Sequence, residues 1–154
     1  MLQSLHMKIA LGSDERTHVT DFVADELRRL GHEVDLFGPP AGDDLQWAEV
    51  AEDVGQRVAS GAAAQGVLFC WTGTGVSMAA NKVPGVRAAL CADAETARGA
   101  RRWNDADVLC LSLRATSEVV AKEILEAWLS SAPEASEGAN IEKVNDLDRR
   151  RAGA

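Results

Sequence analysis

Residues 66–82 read Gly66-Val67-Leu68-Phe69-Cys70-Trp71-Thr72-Gly73-Thr74-Gly75-Val76-Ser77-Met78-Ala79-Ala80-Asn81-Lys82. Gly66 to Phe69 is a short β-type run, the glycines at 73 and 75 permit a tight turn, and an alanine-rich helical stretch follows. Outward from this unit the same alternation recurs. Lys8-Ile9-Ala10-Leu11, Glu33-Val34-Asp35-Leu36-Phe37, Val86-Arg87-Ala88-Ala89-Leu90 and Val108-Leu109-Cys110-Leu111 are β-type runs, each followed by helical periodicity. Val19, Phe22, Val23, Leu27 and Leu30 form one stripe, with Gly31 placed to end the helix. Trp47, Val50, Ala51, Val54 and Val58 form a second, and Val120, Ile124, Leu125 and Trp128 a third. Parallel strands need crossover connections, so five strands alternating with helices predict an α/β fold, three layers with a five-stranded parallel sheet covered on both faces.

Ligands of such sheets bind beyond the carboxyl ends of the strands. That rule points to Gly12 to Glu15, Cys70 to Gly75, Cys91 to Asp93 and Ser112 to Arg114. Cys70 stands where a strand meets the glycine turn, and the unpaired amides of the next helix point back at that turn as an anion cradle. A thiol there is a candidate base or nucleophile. An arbitrary cysteine at a strand end is more often a small buried hydrophobe; the glycine turn favours the chemical reading. Cys91 and Cys110 lack such a turn and read as packing residues. The turn lacks the Gly-Lys-Ser/Thr ending of a Walker loop and the third glycine of the dinucleotide motif, which disfavours ATP and NAD.

With 154 residues the chain fits one domain, and 46% hydrophobic with 26% charged residues is an ordinary globular balance. A net charge of −8 argues against a protein that tracks nucleic-acid phosphates. No apolar run approaches the ~20 residues of a membrane span, and three cysteines without disulfide or CxxC spacing suit a cytoplasmic protein with reduced thiols and no zinc site. Residues 1–6 are expected to be a disordered leader, 7–132 the α/β domain, and 133–154 a linker and C-terminal segment that packs on a partner subunit.

Four blocks carry a resemblance: Lys8 to Asp14, Cys70 to Lys82, Val83 to Leu90 and Asn104 to Leu109. Together they resemble the B-type ribose-5-phosphate isomerases and the related galactose-6-phosphate isomerase subunits, over about Met7 to Trp128. The resemblance implies a Rossmann-like three-layer sandwich, a homodimer or dimer of dimers with active sites shared between subunits, and neither cofactor nor metal. It also implies aldose–ketose interconversion of a small sugar or sugar phosphate through a cis-enediolate. Cys70 matches the family's base, Thr72 a threonine near the ring oxygen, and Asp14 an aspartate that binds sugar hydroxyls. Asn104 matches an asparagine that holds O1, the amides of Gly73, Thr74 and Gly75 an oxyanion hole, and Arg114 an arginine of the phosphate site. Ser13 and Glu15 flank Asp14 and are expected beside the substrate. Taken without the resemblance, Asp14 reads as a turn or N-cap residue and Asn104 as a helix C-cap.

The departures are as informative. Glu15 replaces a histidine after the aspartate, and Trp103 replaces the ring-opening histidine before the asparagine. Trp71 replaces a glycine after the cysteine, while Ala139 and Lys143 stand where two phosphate-binding arginines are expected. Trp71 and Trp103 are expected to line the pocket, and ribose 5-phosphate is expected to be a poor substrate. A non-catalytic carbohydrate- or metabolite-binding protein on the same fold is the alternative.

Overall fold

The computed structural model describes residues 6–153; the first five residues of the expected leader lie outside them. The strands are β1 (Lys8–Ser13), β2 (Glu33–Phe37), β3 (Gln65–Cys70), β4 (Ala88–Leu90) and β5 (Val108–Ser112). All pair in parallel, in the order β2-β1-β3-β5-β4. The helices are α1 (His18–Arg29), α2 (Trp47–Ala59), α3 (Thr74–Ala80), α4 (Ala94–Asn104), α5 (Glu118–Leu129) and α6 (Gly138–Ala152). Alternate residues of the sheet feed two apolar layers. Ile9, Leu11, Val67, Phe69, Leu109 and Leu111 pack against α1, α4 and α5. Ala10, Leu68, Cys70, Val108 and Cys110 pack against α2 and α3. This is the three-layer α/β sandwich expected from the alternation.

The α1 helix starts in a capping box between Thr17 and Thr20 and ends at Arg29, two residues before Gly31, whose φ of 96° no β-carbon favours. There the amide of His32 donates to the Leu27 carbonyl (3.1 Å) and that of Gly31 to the Arg28 carbonyl (2.9 Å), which closes a Schellman motif. The fourth strand is shorter than its run of five residues suggests. The Arg87 amide donates to the Asp107 carboxylate at 2.8 Å and not to a neighbouring strand, so pairing begins only at Ala88.

Past α5 the chain does not run free. Glu134 meets Arg102 through both its amide (2.8 Å, to the Arg102 carbonyl) and its carboxylate. The α6 helix then lies beside the segment leading into β4. Asp148 accepts from the Gly85 amide (2.5 Å), Asn145 from Arg87 (3.4 Å), and Arg151 donates to the Asn81 carbonyl (3.1 Å). At the other end His6 bonds through Nδ1 to the Gly31 carbonyl oxygen at 2.6 Å. Among the described residues no helix is long and apolar enough to cross a membrane.

Candidate active site

The chain leaves β1 towards β2 on one side of the sheet, and β3 is added on the other side of β1. The carboxyl ends of β1 and β3 therefore flank the point where strand order reverses, the place where a crevice opens in a sheet of this kind. Ser13 pairs with Phe69, so Asp14, just past β1, and Cys70, the last residue of β3, are the next residues along two neighbouring strands at this edge.

Cys70 is 6% exposed and sits in the apolar layer of α2 and α3. Its loop is laced to that of β5: the Leu113 and Arg114 amides donate to the carbonyls of Cys70 and Trp71 (both 3.0 Å), and Ser112 Oγ donates to Trp71 (2.9 Å). Arg114 is thereby held at this edge, with its side chain exposed. Gly73 takes φ 78° and caps α3. Thr72 and Thr74 are exposed, their hydroxyls 2.8 Å apart. Ser13 is fully buried and folds its hydroxyl onto Glu15, donating to its carbonyl (2.6 Å) and accepting from its amide (3.1 Å). This fixes the direction in which Asp14 leaves the strand. Burial raises the Asp14 carboxyl above the ordinary aspartate range and the Glu15 charge adds to the rise, against the pull of a backbone hydrogen bond.

Cys91 and Cys110 are packing residues. Burial pushes the Cys91 thiol up to about 12, and the fully enclosed Cys110 thiol is raised as well, so both stay protonated. Asp93, at the mouth of β4, caps α4 by accepting from the Thr96 amide (2.7 Å).

One chain does not gather every expected residue. Helices of a parallel sheet run back from the carboxyl edge, so Trp103 and Asn104, at the end of α4, lie at the amino edge, roughly 17 Å from Cys70 along a strand of this length. The Trp103 indole is laid along its own helix over Gly99, where an added methyl would fall 2.6 Å from Cζ3. It is 47% exposed and lines, with Asn81, Ala88, Asn104, Val144 and Arg151, a cavity of about 660 Å³ between β4 and α6. Lys143 is exposed on α6, one turn after Ala139. Trp71, by contrast, is at the Cys70 turn and 61% exposed.

The helical stripe of α2 predicts Trp47 as core. It is instead 43% exposed, with its indole against Gly75. The signal that finds it is positional: Trp47 opens α2, and every helix of a parallel sheet opens at the carboxyl edge. Leu90, at the end of β4, meets Gly73 in the same way.

The matching family model, described as Ribose/Galactose Isomerase, covers residues 9–147. The chain belongs to this family. It is 35% identical over 141 residues to the D-erythrulose-4-phosphate isomerase of Pectobacterium atrosepticum, spanning 90% of this chain and 93% of that one. It is 33% identical over 147 residues to ribose-5-phosphate isomerase B of Escherichia coli, spanning 94% and 98%. Among solved structures, ribose-5-phosphate isomerase B of Clostridium thermocellum superposes with a TM-score of 0.87 at 33% identity, over 94% of this chain and 99% of that one. The enzyme of Mycoplasma genitalium with bound ribulose-5-phosphate gives 0.85 at 30% identity, over 92% and 96%. Membership makes this chain a sugar-phosphate aldose–ketose isomerase.

Proposed function

We propose that the chain isomerises an open-chain, four-carbon sugar phosphate, with Cys70 as the base that moves hydrogen between C1 and C2. From an aldose the thiolate takes the C2 proton, and the released pair forms the C1–C2 double bond of a cis-enediolate with charge on O1. The thiol returns the proton to C1 and the hydroxyl proton passes from O2 to O1, so the product differs from the substrate only in the positions of its hydrogens. Amides of the Gly73–Gly75 turn face the developing oxyanion. Asp14 and Thr72 hold hydroxyls, Ser13 and Glu15 set the direction of Asp14, and Arg114 and Lys143 hold the phosphate.

The observation that carries the substrate is Trp103. An indole N–H donates only and does not titrate near neutral pH, so it cannot open a furanose as a histidine would. A tetrose 4-phosphate has no ring to open, because the oxygen that would close a furanose carries the phosphate. Similarity to a D-erythrulose-4-phosphate isomerase supports this reading. The site is completed by a second copy: Trp103, Asn104 and Lys143 of one chain meet Cys70 of another when two copies pair about a two-fold axis. The cavity beside Trp103 is then the receiving half.

The test is exchange of the substrate's C–H hydrogen in deuterated water with erythrose 4-phosphate, ribose 5-phosphate and 4-deoxyribose 5-phosphate. The last has five carbons but cannot close a furanose. The expected order is rapid exchange on the tetrose, slow on ribose 5-phosphate, and recovery on the 4-deoxy compound. Rapid exchange on ribose 5-phosphate would remove the role given to Trp103. Failure of the 4-deoxy compound would make chain length, and not ring opening, the criterion.

A further inference from the structure

The turn after Cys70 is gripped from two sides. A methyl group added at Gly73 would lie 2.5 Å from Leu90 Cδ1, and one added at Gly75 would lie 3.0 Å from Cε3 and 3.1 Å from Cζ3 of Trp47. Carbon atoms in ordinary contact sit about 3.5–4.0 Å apart, so a side chain at Gly75 would crowd the Trp47 ring, while at Gly73 the positive φ of 78° and the Leu111 backbone, 3.0 Å from an added methyl, disfavour a side chain as well. The two contacts differ in origin. Leu90 comes from β4, tied to the sheet, whereas Trp47 is the first residue of α2, a helix with Val50, Ala51 and Val54 fully buried beneath it. That anchorage makes the ring a fixed wall, although 43% of the residue faces solvent. An indole left half exposed against the backbone of the turn that follows Cys70 is poorly explained by core packing alone.

We infer that Trp47 is a positioning residue of the isomerase, pressing on Gly75 to hold the amides of the Cys70–Gly75 turn where they meet the enediolate oxygen. The inference rests on the isomerase reading for its purpose, but the contact itself can be tested apart from it. A hydrogen-bond donor aimed at a developing charge is effective only in its place, and a displacement of 1 Å can cost about 10²-fold in rate. Such a loss falls on the transition state. The expected signature of Trp47→Ala is therefore a kcat lowered roughly 10- to 100-fold with KM changed little. Trp47→Phe keeps an aromatic ring and should recover most of the rate.

The measurement pairs kinetics with backbone hydrogen exchange of Thr74, Gly75 and Val76 by NMR, on wild type, Trp47→Ala and Trp47→Phe. Faster exchange at these amides in Trp47→Ala, reversed in Trp47→Phe, together with the kcat loss, supports the inference. Unchanged exchange overturns it whatever the rates do. Faster exchange with kcat intact also overturns it, since the turn would then be held for no chemical end. Wild type that turns over no sugar phosphate would sink the isomerase reading alone, and the exchange result would decide the Trp47–Gly75 coupling by itself. Because most of α2's buried residues lie beyond Trp47, Trp47→Ala should fold, and Trp47→Phe serves if it does not.

Discussion

Cys70 is buried at the end of β3 with the glycine turn directly above it. Its replacement by alanine removes the proposed proton acceptor without opening a large cavity. Under the proposed mechanism, Cys70→Ala should lower C–H exchange on the proposed tetrose phosphate by about 10² to 10⁴-fold with the melting temperature nearly unchanged; a variant with normal exchange would move the base to Asp14 or Glu15. A second residue is expected to contribute to stability in acid. His32 is buried and its Nδ1 accepts from the Met7 amide at 3.2 Å, while Nε2 has no partner among the described residues. Burial lowers its pKa from the ordinary 6.5, and the charge of His6 adds to this. The unfolded chain therefore takes up this proton first as pH falls. The contribution of the neutral ring is full above about 6.5 and is lost through the window between 6.5 and the lower folded value. Urea unfolding at pH 7.5 and 5 should show a loss that His32→Asn, which keeps an acceptor for Met7, makes smaller. An equal loss in that variant would exclude His32 as a cause.

At the scale of elements, Arg87 joins four of them. From the residue before β4 it donates to the carbonyl (2.7 Å) and carboxylate (3.2 Å) of Asp105, which caps the end of α4, and to Asn145 of α6 (3.4 Å), and it pairs with Asp107 before β5 (3.4 Å). Asp107 is raised by burial, and Arg87 opposes that rise. Arg87→Met keeps the stem but leaves a carboxylate short of its partner, and should lower stability by about 2–3 kcal/mol. Adding Asp107→Asn should recover part of that loss. Independent losses in a denaturation cycle would show that the pair is not coupled.

At the scale of the molecule, a shared site predicts complementation. Cys70→Ala and Asn104→Ala each damage a different half of the site, so homodimers of either variant should be weak. Unfolding and refolding them as an equal mixture should produce heterodimers with one intact site in two, and a recovery of about one quarter of wild-type activity. Recovery no greater than the mean of the two variants would require a site complete within one chain.

Alternation of β-type runs with helical stripes determined the fold class from sequence alone, because strands separated by helices pair in parallel through crossovers that cover both faces of the sheet. Gly31 announced the end of α1, since the chain needs a positive φ there. Cys70, Asp14 and the glycine turn were legible because parallel topology sends the end of each strand to one edge. Strand order, the nearness of Asp14 to Cys70, and the separation of Trp103 and Asn104 from both were decided by tertiary structure. Periodicity reports which face of an element is apolar but not which element lies beside it. Trp47 shows the same limit: its place in a helical stripe reads as core, and only the packing of α2 against the α3 turn sets its ring on Gly75.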